Sequence, residues 1–129
     1  MLSALQSQTK RTTRLINQLH NRLSRTFPEL AVVCPDLSAG YVLSLLIKYP
    51  TAQKVAAARL SSLSEISYLR PEKASEIHAA AKQSTASIYG PSAELIVSQL
   101  ANEIIASQAF ESKLEAMLTN WIDSLVPTR

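Results

Sequence analysis

Apolar and small side chains recur at alternating spacings of three and four over the opening of the chain. Leu2, Leu5, Thr9, Thr12, Ile16, Leu19, Leu23 and Thr26 fall on one seam, the spacing of a coiled coil rather than of a broad globular face. A second seam occupies the C-terminal part: Val97, Leu100, Ile104, Ser107, Glu111, Leu114, Leu118, Trp121 and Leu125. Its spacing is unbroken, although Ser107 and Glu111 weaken its middle. Two long terminal helices are expected, over about residues 2–26 and 91–125. Their packing against each other, antiparallel, buries both seams; a dimer with swapped or extended helices would satisfy the same seams.

Between the seams, prolines punctuate shorter periodic stretches. Pro28 closes the first helix and Pro35 the segment after it, where Ala31, Val32 and Val33 would lack a strand partner and are read as a buried turn or short helix. After the cap candidates Asp36 and Ser38, Leu43, Leu46 and Ile47 make the face of a helix over 38–49, ended by Tyr49-Pro50. Thr51 caps a short helix over 51–59, and Ser61 a further turn over 61–67 carrying Leu63 and Ile66. Pro71, with Glu72 behind it, starts a helix over 71–88 whose face is Ala74, Ile77, Ala81, Ser84 and Ile88. The expected fold is all-α and a single domain over 1–129, with a cluster of short helices inserted between the two long ones.

Composition agrees with helices: two glycines, few aromatics and abundant Ala, Leu, Ser and Ile. With 47% hydrophobic residues the chain has material for one core without disulfides. The lone Cys34 leaves no internal disulfide and no zinc pair, and is expected as a small buried side chain. No apolar run approaches the length of a membrane span; Tyr41–Ile47 is interrupted by Ser44 and closed by Lys48. A soluble cytoplasmic chain with no membrane partner is expected, nucleoid-associated if it binds DNA.

The net charge of +3 is modest, but it is segregated. Lys10, Arg11, Arg14, Arg22 and Arg25 fall within the first 28 residues, which hold no acid, and the four arginines with Gln18 form one stripe on the first helix. At about 1.5 Å rise per residue the stripe covers roughly 20 Å. Two negative partners are candidates, not exclusive because seam and charged flank are different faces: nucleic acid phosphate and the chain's own last segment, where Glu94, Glu103, Glu111, Glu115 and Asp123 oppose Lys113 and Arg129.

Catalytic signatures are missing. His20 and His78 have no acid or Cys at helical metal-ligand spacing, so no metal is expected. Glycines only at 40 and 90 exclude a phosphate-cradling loop, and no serine sits in a nucleophile elbow. The ten acids show no convergence of the kind a two-metal nuclease needs. No cofactor and no small-molecule substrate are expected, and the chain is not expected to be an enzyme by itself. Phe110 and Trp121, beside Leu114 and Leu118, are expected in the core rather than stacked on bases.

Several short stretches, in their order, resemble one transposase family. They are Leu19-His20-Asn21-Arg22-Leu23 after Arg14, then Phe27-Pro28-Glu29-Leu30, then Leu45 through Ala52 (Leu-Leu-Ile-Lys-Tyr-Pro-Thr-Ala). Leu63, Ile66, Tyr68 and Leu69 follow, and then Ile77-His78 through Lys82-Gln83-Ser84. Together they are similar to the central region of the DEDD-type, RuvC-like insertion-sequence transposases, relatives of the pilin-gene invertases, some of which are guided by a bridge RNA. The resemblance covers about Thr9 to Trp121. In that family an acidic-tetrad nuclease domain and a serine-bearing domain flank this region, and no position here matches either motif. The resemblance implies a helical, coiled-coil connector that spaces catalytic domains, assembles protomers and lies near DNA and guide RNA. It also implies that this stretch alone does not transpose DNA. Lys10, Arg11, Arg14, Arg22 and Arg25 are the expected nucleic-acid contacts. Leu5, Ile16, Leu19, Leu23, Leu100, Ile104, Leu114, Leu118, Trp121 and Leu125 are the expected assembly seam, and a homo-oligomer is expected. A helical homo-oligomerisation or adaptor module, its arginines neutralised by the last helix, is the competing expectation.

Overall fold

The computed structural model describes residues 2–86 and 90–125. Seven helices follow in order: α1 (Leu2–Thr26), α2 (Leu30–Val33), α3 (Gly40–Lys48), α4 (Ala52–Ala57), α5 (Leu60–Leu63), α6 (Pro71–Lys82) and α7 (Pro91–Leu125). No strand occurs among the described residues, and the fold is all-α. No described helix is long and apolar enough to cross a membrane.

The two long helices pack antiparallel. Leu2 and Ser3 lie beside Leu118, Trp121 and Ile122 at one end. Gln8 and Thr12 meet Ser107 midway, and Arg22 and Arg25 lie beside Ser92, Ala93 and Ile96 at the other end. The buried side chains of α1, which packs chiefly on α7, are Thr12, Leu15, Leu19, Leu23 and Thr26. Of the expected α1 seam, Thr12, Leu19, Leu23 and Thr26 are buried. Leu2 and Thr9 are exposed, Leu5 and Ile16 only half-buried, and Leu15 takes the central place. A helix of 3.6 residues per turn drifts about 20° per heptad against a strict 3.5 repeat, so a long straight helix cannot keep one heptad phase buried. On α7, Val97, Ile104, Ser107 and Leu114 of the expected seam are buried, whereas Ala101 is buried in place of Leu100, which is half-buried.

Polar side chains hold the centre of this interface. Gln8 Nε2 donates to Ser107 Oγ at 2.6 Å, Ser107 and Thr12 share a hydroxyl–hydroxyl bond of 2.6 Å, and Thr12 Oγ1 donates to the Gln8 carbonyl at 3.1 Å. One proton assignment satisfies all three, a closed ring that leaves neither buried hydroxyl unpartnered. Below it, Glu111 Oε1 is buried without a partner.

The short helices pack onto the Arg25 end of this pair. α3 lies on α7, and Ser98 Oγ donates to the Leu46 and Ile47 carbonyls at 3.3 and 3.2 Å, supplying partners for two of the carbonyls a helix C-terminus leaves free. Gln108 Nε2 donates to the Ser38 carbonyl at 3.1 Å. Lys54 on α4 reaches Glu94 at 3.3 Å. α6 rests on α2, α4 and α5. Phe27, Leu30, Val42, Leu43, Leu45, Leu46, Leu63 and Ile77 are fully buried where these pieces converge with Leu19 and Leu23. Cys34 is also buried.

Helix ends follow local chemistry, not always as expected. Thr51 caps α4 by accepting from the Lys54 N–H, and Pro71 opens α6. Asp36 instead accepts from the Ser38 N–H in an Asx turn, and Ala39 takes the cap position of α3 without a side-chain bond. Ser61 lies inside α5, which starts after Arg59. The segment Leu30–Val33 is a short helix, with Val32 exposed rather than buried. α6 stops at Lys82, short of 88, because Glu29 captures the chain that follows: its carboxylate accepts from Ser84 Oγ, Thr85 N–H and Thr85 Oγ1. Ile88, expected on that face, lies outside the described residues.

Candidate nucleic-acid interface

On α1, Lys10, Arg11, Arg14, Gln18, Arg22 and Arg25 are all exposed. At 100° per residue, Arg11, Arg14, Gln18, Arg22 and Arg25 share one face about a quarter turn from the seam that meets α7. The seam fixes the rotation of α1, and with it the direction of the arginines. Long cationic side chains can lie along a helix flank with their stems on apolar neighbours and their charges in water.

The stripe runs beside a groove between α1 and α7. Gln18, Asn21, Arg22, Arg25, Ile96 and Leu100 line its larger part, about 450 Å³, and Thr26, Ser92 and Ala93 continue it past Arg22 and Arg25. The floor is apolar, and the α1 wall carries two guanidiniums and two side-chain amides. An extended anionic chain could rest along this wall with phosphates against the guanidiniums and the amides free for base or sugar edges.

No ion pair joins α1 to α7 among the described residues. Among the described residues the ion pairs are Lys54–Glu94 at 3.3 Å and Lys73–Glu76 at 3.4 Å. None of the five cations of α1 pairs with an acid of α7, although the two helices lie side by side. Glu94 is engaged by Lys54, and Glu103 accepts from Gln99 Nε2 at 3.3 Å. The competing expectation, arginines neutralised by the last helix, therefore finds no such ion pair among the described residues.

The expected assembly residues divide in two. Leu19, Leu23, Ile104 and Leu114 are buried, and Leu5, Ile16, Leu100 and Leu118 half-buried, in the packing of one chain. Trp121 and Leu125 are exposed, together with Leu2, Met117 and Ile122. Trp121 at 53% and Phe110 at 49% exposure are not core residues, which corrects the expectation for both. The reason is reach: the last hydrogen bond between α7 and the segment around α3 is that of Gln108 to the Ser38 carbonyl, just before α3, and beyond it the faces of α7 turned from α1 are exposed.

His78 Nε2 lies 2.9 Å from the Ala58 carbonyl and serves as a structural donor, with the proton on that nitrogen; His20 is exposed on α1. Among the described residues no three His, Cys, Asp or Glu side chains cluster as metal ligands. A feature the periodicity did not single out is the cleft of Tyr41, Tyr68, Leu69, Arg70 and Lys73 beside α6; its signal, an aromatic two positions before Arg70-Pro71, is local and carries no period. No protein-family model matches the chain, and no curated protein matches it in sequence.

Proposed function

We propose that this chain is the helical connector and assembly region of an insertion-sequence transposase, lying between catalytic domains it does not contain and holding DNA or guide RNA on α1. The observation that carries the reading is the five exposed cations of α1, unpaired among the described residues although an acidic helix lies alongside. The ordered short stretches from Arg14 to Ser84 that resemble this family point the same way. The chemistry recognised is the phosphodiester backbone, which both nucleic acids share, so binding is set by charge and is largely indifferent to sequence.

Fluorescence anisotropy of a labelled duplex DNA and a structured RNA at low and moderate salt tests the reading. Five phosphate contacts on duplex DNA give a slope of log affinity on log salt of about −4 to −5. The Arg14→Glu, Arg22→Glu protein, still folded, binds more weakly with a slope shallower by about 2. Absence of binding at low salt removes the nucleic-acid role.

A second reading, a homo-oligomerisation or adaptor module, is favoured by one observation: Leu2, Met117, Trp121, Ile122 and Leu125 are exposed together on the α7 C-terminal half and the α1 end beside it. Sedimentation of the wild type against Trp121→Glu distinguishes it. An assembly through this end falls apart in the variant; an unchanged mass removes that end from assembly.

A further inference from the structure

Tyr68, between α5 and α6, is accounted for neither by its backbone nor by its packing. Its φ is +65°, the only non-glycine positive φ among the described residues. That left-handed conformation suits Gly or Asn and is a true outlier for a bulky side chain. Packing does not compensate, because Tyr68 is 93% exposed. Folding therefore favours another residue here, and strain retained without a packing return is a pointer to function.

What surrounds the ring supplies the chemistry. Tyr41, Leu69, Arg70 and Lys73 complete a cleft of about 200 Å³ with Tyr68, below the range of pockets for whole small-molecule ligands and suited to one planar ring. Lys73 Nζ is already fixed, donating to the Val33 carbonyl at 2.9 Å and lying 3.4 Å from Glu76. Tyr41 is half-buried. Arg70 is exposed and has no carboxylate within ion-pair distance among the described residues. Glu65 and Glu72, both exposed, flank the site in sequence and disfavour a second anion there.

We infer that Tyr68 is a stacking platform for a single unpaired nucleobase, with the Arg70 guanidinium taking the phosphate beside it. An exposed aromatic face beside a free guanidinium is how proteins hold bases that have left a helix. Tyr68 sits on the short-helix cluster, away from the α1 stripe, so this is a separate contact from the one that grips a backbone. It rests on the nucleic-acid reading of this chain and adds to it a preference for a bulged or single-stranded nucleotide.

The test compares two labelled DNA duplexes of the same sequence, one fully paired and one with a single bulged 2-aminopurine, binding the whole chain and its Tyr68→Phe and Tyr68→Asn variants. Asn tolerates the left-handed backbone, so the second variant folds. The wild type and Tyr68→Phe bind the bulged duplex about tenfold more tightly than the paired one and quench the 2-aminopurine. Tyr68→Asn binds both duplexes alike, without quenching. Equal binding of the two duplexes by the wild type, or a preference that survives in Tyr68→Asn, overturns the inference while leaving salt-sensitive duplex binding by α1 intact. Bulge binding that is indifferent to Arg14→Glu, Arg22→Glu sustains the inference and removes α1 as the contact. Failure to bind either duplex overturns both.

Discussion

The hydroxyls of Thr12 and Ser107 meet at 2.6 Å between α1 and α7, buried from solvent and separated by 95 positions in the chain. With Gln8 this pair favours the register in which the two helices lie, because a slip by one turn would take the Ser107 hydroxyl from both of its α1 partners and leave Thr12 only its bond to the Gln8 carbonyl. Ser107→Ala is expected to lower stability to urea by about 1–2 kcal/mol, leaving Thr12 with one bond fewer and Gln8 without its side-chain acceptor. Thr12→Val combined with Ser107→Ala is expected to cost less than the sum of the two single changes. Strict additivity would mean that the hydroxyls do not act together.

Glu111 lies in the same interface with Oε1 buried and without a partner. Desolvating a carboxylate oxygen without a hydrogen bond is unfavourable, whereas a leucine continues the apolar seam to Leu114 and Leu118. Glu111→Leu is expected to stabilise the fold by about 1 kcal/mol, raising Tm by about 3–5 °C. A lowered Tm would mean that the acid has a partner in solution.

Gly90 opens α7 with φ +112°, and a Cβ built there meets nothing within 4 Å. The cost of a side chain at this position is therefore in the backbone alone. Gly90→Ala is expected to destabilise by about 1–2 kcal/mol in chemical denaturation, without a change in the slope against denaturant.

The Glu29 carboxyl ties the end of α6 back to the α1–α2 turn. Partial burial raises its pKa, but hydrogen bonds from Ser84 Oγ and from the Thr85 N–H and Oγ1 outweigh this and hold it below the ordinary 4.5. A carboxyl with a folded pKa below its unfolded one stabilises fully above the unfolded value and loses that contribution as pH falls through the folded value. Stability is thus expected to decline below about pH 4.5. In Glu29→Gln the decline over this range is shallower, and its stability at pH 7 is lower than wild type by about 1–2 kcal/mol. Parallel pH profiles for the two proteins would remove Glu29 as the acid-sensitive tie.

Much of this architecture is legible in the sequence because the periods are long and the punctuation is strong. Proline and glycine mark most of the helix boundaries, and Val97, Ile104, Ser107 and Leu114 of the α7 seam are buried. Of the α1 seam, Thr12, Leu19, Leu23 and Thr26 are buried and Ile16 packs half-buried against the core, while the buried Leu15 beside it is not on the seam, since periodicity alone does not say how wide a stripe a neighbour will cover. The end of α6 is set by Glu29, 55 positions from Ser84, a tertiary capture no local pattern announces. Phe110 and Trp121 have the spacing of core residues but no third helix to cover them. Of the candidate interface, the arginine stripe is visible as a charge pattern; that its cations have no ion pair among the described residues beside an acidic helix depends on rotation and register, and the Tyr68 cleft depends on a single backbone angle.

The central claim is that the cations of α1 are held for a nucleic-acid backbone rather than spent on α7. Duplex binding measured against salt for the wild type and for Arg14→Glu, Arg22→Glu, with circular dichroism confirming equal helicity, tests it most directly. The account predicts a steep wild-type slope, shallower by about 2 in the variant, with unfolding free energies alike to within about 0.5 kcal/mol. Unchanged or absent DNA binding, together with a variant destabilised by loss of contact with α7, would contradict it.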